Sequence, residues 1–74
     1  MSGRASIVIE KDAHGYYAYC PELPGCQTQA GSVDQAVDRM REAIELYWET
    51  LSEEEKRVLV SQEILTTTIE VRVA

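Results

Sequence analysis

The sequence predicts an α+β fold of order β-β-β-α-β, an antiparallel sheet with one long helix on one face. Three observations lead there. Short β-branched and aromatic segments separated by turn formers open the chain, a capped stretch of helical period occupies the middle, and two-residue alternation closes it. Ala5 to Lys11 (ASIVIEK) is the first strand, and Asp12-Ala13-His14-Gly15 supplies an Asp and a Gly for the reversal into the second. The second strand, Tyr16 to Cys20 (YYAYC), stops at Pro21, whose missing N–H would interrupt a ladder. Pro21 to Gly25 (PELPG) is then a stiff bend, and Cys26 to Ala30 (CQTQA) is a short third strand with Gln27 and Gln29 on one face.

Ser32 followed three residues later by Gln35 has the capping-box spacing that satisfies orphan amides at a helix start. Val33, Ala36, Val37, Met40, Ala43, Ile44, Tyr47, Trp48 and Leu51 recur at steps of three and four, so the spacing predicts a helix over 33–51 with one apolar stripe. Leu46 sits off that stripe and is a candidate contact point. Ser52 and the acids after it suit a short second helix or one further turn, and Val58 to Glu63 is ambiguous. From Ile64 to Ala74, Leu65, Thr67, Ile69, Val71 and Val73 alternate with Thr66, Thr68, Glu70 and Arg72, as a strand with one apolar face requires. Consecutive strands most simply pair as an antiparallel meander.

At 74 residues and 8.3 kDa the chain is one domain, residues 1–74, with no repeat or linker. A chain this size buries about 60% of its unfolded surface, a small core that a partner subunit would reinforce. Thirteen acids against seven bases give a net charge of -6, which repels phosphate backbones and argues against direct nucleic-acid binding. The longest apolar runs, Ile7 to Ile9 and Val58 to Val60, fall far short of a membrane span, and no signal-peptide pattern opens the chain. The expectation is a soluble cytoplasmic domain without membrane contact. Strands one and two carry apolar residues of both parities, so the sheet face away from the helix needs cover. A homodimer or higher oligomer is the plainer source of that cover, and a different protein is the sharper one.

Gly15 to Cys26 (GYYAYCPELPGC) and Ala30 to Tyr47 (AGSVDQAVDRMREAIELY) together resemble the HicB antitoxin domain. That pattern is a Gly-Tyr-aromatic hairpin, a Pro-acid-Leu-Pro-Gly-Cys bend and a Gly-Ser/Thr helix rich in Glu-Ala-Ile. The resemblance implies a partial RNase H-like fold, no catalysis by this chain, and a role in covering a small basic HicA-type toxin that cleaves mRNA. Full-length members of the family usually carry a C-terminal DNA-binding module. None follows in this sequence, so the expectation is an antitoxin domain without operator binding of its own. A solitary homo-oligomeric HicB-like binding or scaffold module is the alternative.

The chemistry of the residues adds little to that role. An RNase H-like nuclease would hold Mg²⁺ or Mn²⁺ on Glu10, Glu42 or Glu45, and Glu70, but thirteen acids in a short chain make such trios easy to find by coincidence. His14, the only histidine, lies in the hairpin turn with no Ser or Cys beside it in sequence. Cys20 and Cys26 have neither redox nor zinc spacing and read as reduced, buried small hydrophobes, with a disulfide across the bend as the lesser reading. No catalytic residue, metal ligand or cofactor is therefore assigned. The candidate partner-binding residues are Tyr16, Tyr17 and Trp48 as aromatic anchors, Glu22 and Leu23 displayed by the stiff bend, and Leu46 on the helix.

Overall fold

Asp12 and Gly15 close the first hairpin as their residue types require. The computed structural model describes residues 4–73; Met1 to Gly3 and Ala74, the outer limits of the expected single domain and of its last strand, lie outside the described residues. Strand β1 (Val8–Asp12) pairs antiparallel with β2 (Gly15–Tyr19), with Asp12 opposite Gly15 and Ile9 opposite Ala18. The Asp12 carboxylate accepts the His14 N–H at 2.8 Å, and Gly15 has a φ of +128°. A β-carbon on Gly15 would stand 2.9 Å from the Ala30 carbonyl oxygen, so glycine is needed both for the turn and for the approach of the next strand.

That next strand is β3 (Gln27–Ala30), antiparallel to β2 on its other side, which makes the sheet order β1-β2-β3. The bend between β2 and β3 closes on itself through backbone bonds: Cys20 N–H to the Cys26 carbonyl at 3.0 Å, Leu23 N–H to the Cys20 carbonyl at 3.1 Å, and Cys26 N–H to the Leu23 carbonyl at 3.0 Å. These bonds fold Leu23 inward until it is 3% exposed.

Helix α1 (Val33–Glu49) begins where the capping pattern places it. The Ser32 hydroxyl accepts the Gln35 N–H at 3.1 Å, while the Gln35 side chain reaches one residue further back, to the Gly31 N–H at 2.8 Å. Its Ala36 and Met40 are fully buried against Ala18, Cys20, Leu23 and Cys26, with Ile7, Ile9, Ala30, Ala43, Ile44, Tyr47, Leu51 and Leu59 packed around them. Thr50 ends the helix, its N–H and hydroxyl both donating to the Tyr47 carbonyl. A second helix, α2 (Glu53–Ser61), resolves the ambiguous segment. Ser52 and Glu55 form a complete capping box, the Ser52 hydroxyl accepting from Glu55 N–H at 3.1 Å and the Glu55 carboxylate from Ser52 N–H at 2.9 Å.

The α+β class, the antiparallel sheet and the long helix on one face hold, α1 packing on β2 and β3, and α2 is the short second helix that Ser52 and its acids allowed. One expectation is corrected. The last strand has no ladder: residues 62–73 pair with no strand among the described residues, and Leu65, Ile69, Val71 and Val73 are 69 to 86% exposed. Alternation specifies how a strand divides its side chains between two faces, but a ladder also needs a partner edge, and residues 62–73 lie against none. The overall dimensions record the result. The radius of gyration is 14.5 Å, against about 11 Å for a compact chain of this length. The accessible surface is 6105 Å², which leaves only about half of the unfolded surface buried.

Met40 is the one large side chain wholly removed from water, so Met40→Ala is expected to destabilise the domain by about 2–5 kcal/mol. Leu46→Ala, at a residue 59% exposed, is expected to change stability by under about 0.5 kcal/mol. Urea unfolding followed by circular dichroism checks both. The Ser52 backbone and hydroxyl bonds hold the Glu55 carboxyl below its ordinary 4.5. Because the folded value is the lower one, the cap's contribution is complete above 4.5 and is lost as pH falls through the folded value. Carbon-detected NMR should show Glu55 titrating below 4.5 with the Ser52 amide shift following it, and Glu55→Gln should hold that shift constant.

Candidate functional site

Strand alternation gives the sheet two faces of different character. Ile7, Ile9, Ala18 and Ala30 belong to the side that α1 covers. By register the opposite side carries Val8, Tyr19 and Gln27 in one row and Glu10, Tyr17 and Gln29 in the next. No element among the described residues packs on this second face. Tyr17 and Tyr19, two residues apart on β2, point the same way, and their rings lie 5.7 Å apart at 33°. The Tyr17 hydroxyl donates to the Gln27 side-chain oxygen at 2.7 Å, which fixes the ring on the sheet. The result is a half-buried aromatic pair on a rigid platform, bordered by Gln27, Gln29 and the Glu10 carboxylate. Such a surface loses little conformational freedom on contact, since each ring has few torsions left to order.

The six residues singled out from the sequence do not converge. Tyr17 lies on the open face; Tyr19 belongs beside it and was missed, although the shared parity of the two tyrosines is the signal that finds it. Tyr16 is on the helix side, with the Lys11 ammonium 5.6 Å from its ring centre. Glu22 is turned toward the chain: its carboxylate accepts the Ser6 N–H at 3.1 Å and the Ser6 hydroxyl at 3.0 Å. Leu23 is a core residue and is not displayed by the bend, because the backbone bonds that close the bend turn it inward. Leu46 is exposed on α1, and Trp48 lies half-buried with Lys56 from α2 5.6 Å from its ring. Two helical steps separate Leu46 from Trp48 by about 200°, so they occupy different sides of α1.

A second concavity of about 430 Å³ lies between the bend and the α1–α2 corner, lined by Leu23, Tyr47, Leu51 and Leu59 together with Glu22 and Glu54. Among the described residues no three His, Cys, Asp or Glu side chains are grouped to hold a metal ion. The nuclease trio is spread over the fold. Glu10 is on the open face, Glu42 and Glu45 are on the exposed side of a helix packed on the other face, and Glu70 is in the C-terminal segment. His14 is exposed in the hairpin turn. Cys20 and Cys26 are free and buried, and burial pushes both thiols up from the ordinary 9.0. No helix among the described residues is long and apolar enough to cross a membrane.

Comparison with known proteins places this sequence in a family. A family model described as the HicB_like antitoxin of bacterial toxin-antitoxin system matches residues 5–71. A UPF0150 protein of Archaeoglobus fulgidus is 60% identical over 45 residues, which are 60% of this chain and 65% of that protein. The match thus spans just under two thirds of the Archaeoglobus relative's own length. A UPF0150 protein of Helicobacter pylori is 40% identical over 69 residues, 93% of this chain and 96% of its own length. A third, from Synechocystis sp., is 41% identical over 54 residues, 72% of this chain and 68% of its own. No solved structure matches the chain.

Buried thiols with raised ionisation are poor nucleophiles. Cys20 and Cys26 are expected to resist maleimide in the folded protein and to give two adducts per chain in denaturant, counted by intact mass spectrometry.

Proposed function

The chain belongs to the HicB-like antitoxin family, and on that premise we propose that it is a non-catalytic antitoxin that binds a small basic HicA-type toxin in the cytoplasm and occludes its mRNA-cleaving site. The observation that carries the reading is the open sheet face, where Tyr17 and Tyr19 stand beside Glu10 on a chain of net charge -6. Each part has a separate physical task. The summed negative field draws a basic partner in and speeds association, and the aromatic pair supplies contact area once water is excluded. Occlusion needs no reaction at this surface, only a rigid shape that competes with the substrate RNA for the same basic cleft. A polyanionic partner suits that competition, because it presents to the toxin the sign of charge that RNA presents.

The alternative is a solitary homo-oligomeric HicB-like module without a toxin. Its support is the uncovered apolar surface of residues 64–73, which calls for a partner whatever the toxin does. Co-expression with a small basic toxin of HicA type separates the two: an antitoxin restores growth of toxin-expressing cells, and a solitary module leaves them arrested.

With the purified toxin, Tyr17→Ala combined with Tyr19→Ala is expected to weaken binding by about 30-fold or more by titration calorimetry, the size of a central aromatic anchor. Leu46→Ala is expected to leave the affinity unchanged. An equal loss at Leu46 with none at the tyrosines would move the contact to α1. Glu10→Lys is expected to slow association and to flatten its dependence on salt in stopped-flow measurements, and an unchanged rate would count against electrostatic attraction at this face.

A further inference from the structure

We propose that residues 64–73 are a strand of a second copy's sheet, exchanged reciprocally so that each protomer adds its C-terminal segment to the free edge of β1 in the other. The inference goes beyond toxin binding and does not depend on it. Its first support is the segment itself. Leu65, Thr67, Ile69, Val71 and Val73 share one parity, which is the pattern of a half-buried strand, yet the apolar members are the most exposed large hydrophobic side chains among the described residues. An extended apolar segment left in water is an aggregation hazard unless something covers it.

The area involved is of the size a stable dimer needs. The accessible surface of 6105 Å² exceeds by about 1,500 Å² what a compact monomer of this mass exposes. Covering that excess on both copies removes about 3,000 Å² from water, within the range of obligate homodimers.

Charge selects the second copy over the toxin. Residues 64–73 carry one acid, Glu70, and one base, Arg72, so the segment is neutral while the -6 resides elsewhere in the chain. A segment built to hold a strongly basic protein would share in that charge; a neutral one suits an interface between two identical acidic chains, which must avoid adding like charge.

The sheet determines the edge. On β3, the Arg39 guanidinium donates to the Gln29 carbonyl and occupies part of the outer rim, and the strand carries Gln27, Thr28 and Gln29. On β1, no side-chain hydrogen bond among the described residues reaches the backbone of Val8–Asp12, and Ile7 and Ile9 stand half-buried on the helix side. The incoming apolar parity extends that same layer beside Ile7 and Ile9, and Thr66, Thr68, Glu70 and Arg72 fall on the other face. Exchange of one identical element between two protomers closes as a twofold dimer without any further surface.

Sedimentation velocity of the full chain, without toxin, is expected to give twice the 8.3 kDa chain mass. Ile69→Pro removes a ladder N–H from an exposed position and is expected to return the mass to that of one chain while the helical circular dichroism is retained. In a dimer mixed from isotope-labelled and unlabelled chains, filtered NOEs are expected between the methyls of Ile69 or Val71 and those of Ile7 or Ile9. A monomeric wild-type chain overturns the proposal, as does an Ile69→Pro dimer, an open-ended assembly, or filtered NOEs that join only segment to segment. Because toxin is absent from every arm, failure here leaves the antitoxin reading standing, and failure of toxin binding leaves this one standing.

Discussion

Packing of α1 onto one face of a three-stranded sheet is the constraint from which the other features follow. A sheet has two faces, and this chain has one long helix to cover them. The helix side takes Ala18, Ile7 and Ile9 and closes around Met40, with the small Ala18 and Ala36 letting helix and sheet approach closely. Everything apolar of the other parity, Tyr17, Tyr19 and Val8, is left as surface. The open face is therefore not an addition to the fold but its remainder, the part that the helix cannot reach.

The bend between β2 and β3 serves both faces. Its backbone bonds run from Cys20 to Cys26 and bring Leu23 under α1, while Glu22 ties the bend to Ser6 ahead of β1. The corner thus holds the start of the sheet, its middle and the helix in one arrangement. Its two cysteines sit among apolar neighbours where a small side chain of low polarity is needed, which accounts for them without redox chemistry.

Much of this was legible in the residues. The hairpin, the bend and α1 were readable because their signals are local: Asp12 and Gly15 at a reversal, prolines that stop a ladder, Ser32 and Gln35 at a helix start. The expected helix over 33–51 and the observed Val33–Glu49 differ only in the last turn, where Thr50 takes over the capping. Leu23 was misplaced because prolines on either side suggest a displayed loop, and the bonds that turn it inward form between Cys20 and Cys26, outside the motif. The short helix α2 was blurred by Val58 and Val60, β-branched residues that stay exposed and so leave no stripe to read. The last segment exposes the deeper limit. Periodicity reports the conformation a segment favours and the faces it will show, but whether it pairs depends on an edge that local sequence does not specify. The candidate site was half legible for the same reason: residue type singled out Tyr17 but left unused the parity that sets Tyr19 beside it, and it gathered Tyr16, Leu46 and Trp48 from places the fold keeps apart.

Arg39 on the Gln29 carbonyl has a consequence for how far the protein can grow. A molecule that carried a free strand and two equally receptive rims could pass the strand along in either direction and polymerise into a fibre. Here a cation from α1 occupies one carbonyl of the β3 rim, which leaves the β1 rim as the more open acceptor under the proposed exchange. Under the proposed exchange, two copies would use both donor strands and both β1 rims, and the assembly would close instead of extending. Colloidal behaviour would then depend on one helix arginine that lies outside the strand proposed to be exchanged.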